Sequence, residues 1–215
     1  MSQTLLKATS IAHSFDYKLF SNIDFDLQEQ EGIAILGRSG CGKSTLLHIF
    51  SSFIYPNEGE VHLLGHNLYG LKEEDIEEIR RNDLGIIFQA HYLFKGMKAV
   101  ENLEIATILS GESIEDTLLE RLEIKELMNQ KIGELSGGQQ QRISIARVLS
   151  KKPKIIFADE PTGNLDKETG NLVMSVLLEY IQKNNAGMVL VTHDESMANL
   201  CNKRYLLENR ALEAF

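Results

Sequence analysis

The chain has 215 residues, 43% of them hydrophobic and 25% charged, with only three prolines and a formal net charge of −9 at pH 7. That length suits one domain with room for a small subdomain, and the composition excludes a disordered or low-complexity chain. The acidity argues against a general nucleic-acid or anionic-membrane binder, so no nucleic acid is expected as a partner.

The N-terminal MSQTLLKATS lacks the basic start and long apolar core of a signal peptide. No apolar run approaches the ~20 residues that span a bilayer. The two cysteines, Cys41 and Cys201, lie far apart, which favours a reducing compartment without a disulfide framework. A cytoplasmic protein is expected, peripheral to a membrane at most through a partner.

Leu5–Ser14 reads as a half-buried antiparallel strand, and Ile23, Phe25 and Leu27 alternate with polar residues in the same way. Ile33–Leu36 is different: a short continuous apolar run of the kind that forms a buried parallel strand. It leads into GRSGCGKST, Gly37 to Thr45, and then into a helix over Ser44–Phe50. Glu60–Leu64 predicts another half-buried strand, and Glu73–Arg81 a charged helix with a solvated acidic face. Glu115–Met128 predicts a helix with Leu118, Leu119, Leu122, Ile124 and Leu127 on one broad apolar face. The whole stretch from about residue 71 to 131 reads as mostly helical, a subdomain inserted into an α/β core.

Ile155–Ala158 and Met188–Val191 are again continuous apolar runs. Between them Thr169–Gln182 is apolar at Leu172, Val173, Val176, Leu177 and Tyr180, a period of 3.6. Arg204–Leu207 reads as a last half-buried antiparallel strand.

The GRSGCGKST segment fits G-x-x-x-x-G-K-[ST] between a strand and a helix, the context a phosphate-binding loop requires. Gly37, Gly40 and Gly42 let the backbone curl, so that the N–H groups from Gly37 through Arg38, Ser39 and Cys41 to Thr45 can face phosphate oxygens. The helix start adds a favourable dipole. Lys43 supplies charge to the β and γ phosphates, and the Ser44 hydroxyl can ligate Mg²⁺. Cys41 reads as a small residue packed beneath the phosphates.

A second constellation is KIIFADEPTGNLD, Lys154 to Asp166. A carboxylate at the tip of a buried strand, Asp159, suits Mg²⁺ coordination. The next carboxylate, Glu160, suits orienting or polarising an attacking water.

The third is LSGGQQQR, Leu135 to Arg142. It resembles the signature motif of ATP-binding cassette (ABC) ATPases, and the order of motifs resembles that family too. The phosphate loop comes first, then Gln89 in GIIFQ, the signature, the Asp159-Glu160 pair, GNLD ending in Asp166, and His193 in VTHD. The resemblance covers nearly the whole chain as one ABC ATPase domain, residues 1–215.

It implies an α/β fold: a P-loop NTPase core of mostly parallel sheet and helices, an N-terminal antiparallel β subdomain and an inserted helical subdomain. It implies that Glu160, His193 and Gln89 are catalytic and that Ser44, Gln89 and Asp159 hold the metal. ATP and Mg²⁺ are the implied cofactors. Two copies would bind head to tail, each ATP lying between residues 37–45 of one copy and the signature of the other. In that arrangement Ser136 caps its helix and meets the γ-phosphate, Gly137 and Gly138 allow close approach, Gln139 lies near the nucleotide and Asp166 lies in the loop linking the two sites. Phe15 falls where the family stacks an aromatic ring on adenine, with Tyr17 as the alternative. Gln140 and Gln141 read as solvated helix surface.

Thr45 to Ser136 holds no sustained heptads, unlike the DNA-associated ATPases of the superfamily. The resemblance therefore implies the ATPase subunit of a membrane transporter. Integral membrane permease subunits would be its partners, placing it on the cytoplasmic face of the inner membrane. Its ADEPTGNLD segment is similar to the lipoprotein-releasing, macrolide-export and cell-division branches. FQAHYLFKGMKAVENL, Phe88 to Leu103, resembles the lipoprotein-releasing branch most.

Overall fold

The computed structural model describes residues 2–215. The first strands are β1 (Thr4–Ser14) and β2 (Lys18–Gln28), an antiparallel hairpin that turns at residues 15–17. From Ile23 to Leu27 every second side chain of β2 is buried, as a sheet with one wet face requires. β4 (Glu58–Leu63) adds antiparallel to β1, and the short β5 (His66–Asn67) closes the edge. The turn between them, Leu64-Gly65, has positive φ at both residues, the geometry that matches the twist of a tight hairpin.

The second sheet has six strands in the order β10-β9-β3-β8-β7-β6. They are β3 (Gly32–Leu36), β6 (Leu84–Ile87), β7 (Ile155–Asp159), β8 (Gly187–Val191), β9 (Lys203–Glu208) and β10 (Ala211–Ala214). β9, β3, β8, β7 and β6 run parallel, and only β10 is antiparallel.

The continuous apolar runs are explained by packing on both faces. Ile33, Ile35, Ile155, Phe157, Val189 and Val191 join the N-terminal sheet and α1 (Lys43–Phe50) in one core. Ala34, Leu36, Ile156, Ala158, Met188 and Leu190 join the other core, built with α3 (Ala99–Ser110), α5 (Gly137–Leu149) and α6 (Lys167–Asn184). Every residue of such a strand is therefore apolar, and periodicity alone cannot reveal a wet face.

Three expectations need correction. The stretch 71–131, expected to be a mostly helical insertion, also carries a strand of the core: after α2 (Glu73–Asn82) it contains β6, the edge of the main sheet, paired with β7. β6 is only LGII, and its glycine is there because α5 packs onto it. A Cβ on Gly85 would stand 2.7 Å from Val148 Cγ1 and 2.8 Å from Pro153 Cγ. Gly85→Ala is thus expected to destabilise the fold by ~1–3 kcal/mol, read as a lower urea midpoint at unchanged slope.

Glu115–Met128 is not one helix. α4 covers only Asp116–Arg121, Glu123 is left-handed, and Lys125–Leu127 forms a 3₁₀ turn. Arg142 on α5 donates to the Leu122 carbonyl at 3.1 Å and to Glu123 at 3.0 Å, which holds the chain in this break. Leu119, Leu122 and Ile124 are still buried. Finally, β9 is parallel to β3 and antiparallel only to β10.

Candidate active site

The phosphate loop runs from the end of β3 to the start of α1. Gly40 and Gly42 have φ of 79° and 105°, backbone that favours glycine. A Cβ on Gly37 would stand 2.6 Å from the Leu207 carbonyl oxygen and 2.7 Å from Cys41 Sγ. Cys41 therefore packs within the loop, as a small residue there should. α1 begins at Lys43 without a side-chain cap or an acidic residue in its first turn, so its leading N–H groups suit an anion. The buried Lys43 Nζ donates to the carbonyls of Gly37 at 2.9 Å and Arg38 at 3.0 Å, bracing the loop from within.

The strand order brings the remaining motifs to this loop. β3, β8, β7 and β6 are consecutive neighbours, and each delivers one motif at its carboxyl end. They supply the phosphate loop, His193, the Asp159-Glu160 pair and Gln89, in that order. Ligands in open α/β sheets bind at this edge. One cavity of about 490 Å³ is lined by Gly37, Arg38, Ser39, Gly40, Lys43, Ser44, Gln89, Asp159, Glu160 and His193.

Glu160 is the best-anchored carboxylate in it. Its N–H donates to the Val191 carbonyl at 2.9 Å, and its backbone is left-handed with φ of 49°, an unusual conformation for a residue with a Cβ. Oε2 accepts from the Thr192 hydroxyl at 3.2 Å, and Oε1 lies 2.7 Å from His193 Nδ1. Against a carboxylate this ring nitrogen must carry the proton. The Glu160 side chain is only 14% exposed and that of His193 71%: the acid is held inside and the imidazole stands at the mouth.

A neighbouring cavity of about 260 Å³ shares Gly40, Lys43 and Ser44 with the first and adds Phe15, Tyr17, Leu19, Gly42 and Thr45. Phe15 is 59% exposed and Tyr17 62%. Neither is a core residue, and both can present a ring face to a base.

The signature lies elsewhere. Ser136 caps α5, its hydroxyl accepting from the Gln139 N–H while Gln139 Oε1 accepts from the Ser136 N–H, a reciprocal capping box. Neither Ser136, Gly137, Gly138 nor Gln139 lines either cavity. A Cβ on Gly137 would meet nothing within 4 Å, and one on Gly138 only Leu165 Cδ2 at 3.4 Å. The chain's own packing gives little reason for this glycine pair.

A family model described as ABC transporter matches residues 20–163. The chain belongs to the ABC transporter ATPase family. It is an ATP-binding and ATP-hydrolysing transporter subunit.

Relatives include lipoprotein-releasing system ATP-binding proteins LolD. That of Rickettsia bellii is 42% identical, over 91% of this chain and 89% of its own. That of Shewanella oneidensis is 35% identical, over 99% and 97%. Among solved structures, a dimeric ATP-binding cassette in a post-hydrolysis state with ADP and Pi superposes with a TM-score of 0.88. It is 31% identical, over 97% of both chains.

This ABC ATPase departs from its sequence-derived reading at Gln141. Gln141 is no solvated surface: it is 2% exposed, and its Nε2 donates to the Pro161 carbonyl at 3.0 Å. The triple glutamine hid this, because only the helical turn separates the inward Gln141 from its neighbours. Asp166 caps α6, Oδ1 accepting from the N–H groups of Glu168 and Thr169 and Oδ2 from the Thr169 hydroxyl. These bonds hold its carboxyl below the usual Asp range. It does not line the 490 Å³ cavity.

Thr192, buried between β8 and His193, was missed. A hydroxyl directly after a buried strand and before a site histidine was the available signal. Of the cysteines, Cys201 is also free, and burial pushes its thiol up to about 12, which leaves it unreactive.

Proposed function

We propose that this ATPase powers the release of lipoproteins from the inner membrane. It would act as a homodimer docked on integral membrane permease subunits at the cytoplasmic face. The observation that carries this reading is that relatives spanning nearly the full chain share one name, lipoprotein-releasing ATP-binding protein, at 35–42% identity. The Phe88–Leu103 segment, with its aromatic and histidine residues after Gln89, agrees with it. Among the described residues no helix is long and apolar enough to cross a membrane.

In the proposed site the triphosphate lies along residues 37–45, with Lys43 on the β and γ phosphates and the adenine on Phe15, Tyr17 being the alternative platform. Asp159, Ser44 and Gln89 share a cavity, and their carboxylate, hydroxyl and amide oxygens are the hard donors that Mg²⁺ shares with phosphates and water. When bound, the ion would neutralise phosphate charge. Glu160 orients the attacking water and takes its proton, while His193 holds the Glu160 carboxylate and reaches the γ-phosphate. Ser136, Gly137, Gly138 and Gln139 of the second copy close over that phosphate, and Asp166 orders the loop between the two sites. The segment from about residue 90 to 131, together with the signature, moves as the helical subdomain, with Gln89 at its hinge.

The test is reconstitution with the co-encoded permease in vesicles carrying an acylated lipoprotein. ATP-dependent appearance of the lipoprotein in the soluble fraction is expected. ATP-driven movement of a macrolide without lipoprotein release would assign the chain to the export branch instead.

A further inference from the structure

From the buried contact between α5 and the segment after Glu160, we infer that Gln141 is a positioning residue for Glu160, tying the signature helix of a chain to the water-activating carboxylate of the same chain. The inference rests on Glu160 being the base.

On one side Glu160 is fixed by β8, through its N–H to Val191 and its side chain to Thr192 and His193. On the other side its backbone leads directly into Pro161. The proline ring removes one backbone torsion, so few soft bonds separate the Pro161 carbonyl from the Glu160 Cα. That carbonyl is held by Gln141 Nε2. The next stretch of the same loop also rests on α5, since Leu165 Cδ2 lies against Gly138. The segment following Glu160 is thereby seated on the first turns of the helix whose N-terminus is the signature.

The same helix holds the loop after Gln89. Ser144 Oγ donates to the His91 carbonyl at 3.0 Å, and Arg147 donates to the Tyr92 carbonyl at 2.9 Å. Gln141, Ser144 and Arg147 are spaced three apart and lie within reach of one helix side. A movement of α5 when its N-terminus engages the other copy's nucleotide would reach both the Gln89 loop and Glu160, and Gln141 is the direct link to Glu160.

Packing does not explain the amide. Gln141 Oε1 is buried without a hydrogen-bond partner, an arrangement that native cores avoid. Methionine would fill a similar volume and remove the unpaired Oε1, but it would also take the donor from the Pro161 carbonyl, so its two effects on stability oppose each other. What the amide supplies here is the N–H held against the Pro161 carbonyl.

The test compares Gln141→Met with wild type and Glu160→Gln as full-length chains in Mg-ATP, measuring kcat, KM, nucleotide Kd and thermal midpoint. Gln141→Met is expected to lower kcat by ~10-fold or more through misplacement of the base, with KM and Kd unchanged and the chain still folded at the assay temperature. Gln141→Leu repeats the test with a different apolar shape. Wild-type kcat in both variants would overturn the inference, as would a loss of kcat matched by weaker nucleotide binding or by unfolding at the assay temperature. If Glu160→Gln itself kept wild-type turnover, the assignment of the base would fail and this inference with it. A dead Glu160→Gln beside a fully active Gln141→Met would remove the inference alone.

Discussion

Glu160→Gln is expected to lower ATP turnover by ~10²–10⁴-fold, the range removed with a general base, while nucleotide binding persists. The substitution changes little in shape. Its amide oxygen can still accept from His193, and its amide nitrogen, in the place of Oε2, can donate to the Thr192 hydroxyl, so both contacts that position the native carboxylate find a substitute. What disappears is the ability to take a proton from water. Because ATP is bound but not cleaved, the contacts that bridge two copies should persist, and a two-chain species should accumulate. Single-turnover hydrolysis and sedimentation in Mg-ATP read the two effects separately. Wild-type turnover would mean that another group activates the water.

The second large effect is expected from Lys43→Ala, which should weaken ATP binding by ~10–100-fold, the equivalent of one strong charge-assisted hydrogen bond. Two losses combine. The buried cation of the phosphate loop is removed from the cavity lining. The carbonyls of Gly37 and Arg38 also lose their shared donor, so the loop is less well braced to receive phosphates. Equilibrium titration with a nucleotide measures the change, and undiminished affinity would place the triphosphate elsewhere. Together the variants separate binding from chemistry: Lys43→Ala fails at the first and Glu160→Gln at the second.

Much of the site was legible in the sequence because its residues follow directly from strand ends. Gly37, Asp159 and His193 each stand at or just beyond a continuous apolar run, and such runs become neighbouring parallel strands whose carboxyl ends share one edge. Gln89 was legible only by resemblance, since LGII is too short and too glycine-dependent to announce β6. The break after α4 was invisible for another reason. Leu122 and Ile124 continue the apolar face, and what ends the helix is Arg142, twenty residues away, taking the Leu122 carbonyl. Gln141 was misjudged because a run of identical polar residues carries no direction. Its burial depends on where the loop after Glu160 lies, a tertiary fact that no local pattern encodes. Phe15 is exposed and lines one cavity with Gly40 and Lys43, a position that hairpin periodicity alone did not indicate.

The central claim is that a working site takes its phosphate loop from one copy and its signature from another. Gly137 offers the means to test it, since a Cβ there would meet nothing within 4 Å, and a larger side chain should spare folding while blocking approach across the interface. Lys43→Ala and Gly137→Tyr chains should each be inactive alone. Mixed, they form dimers in which one site combines the intact loop of one copy with the intact signature of the other, and ATP hydrolysis should reappear. If loop and signature acted within a single chain, the mixture would remain as inactive as its components.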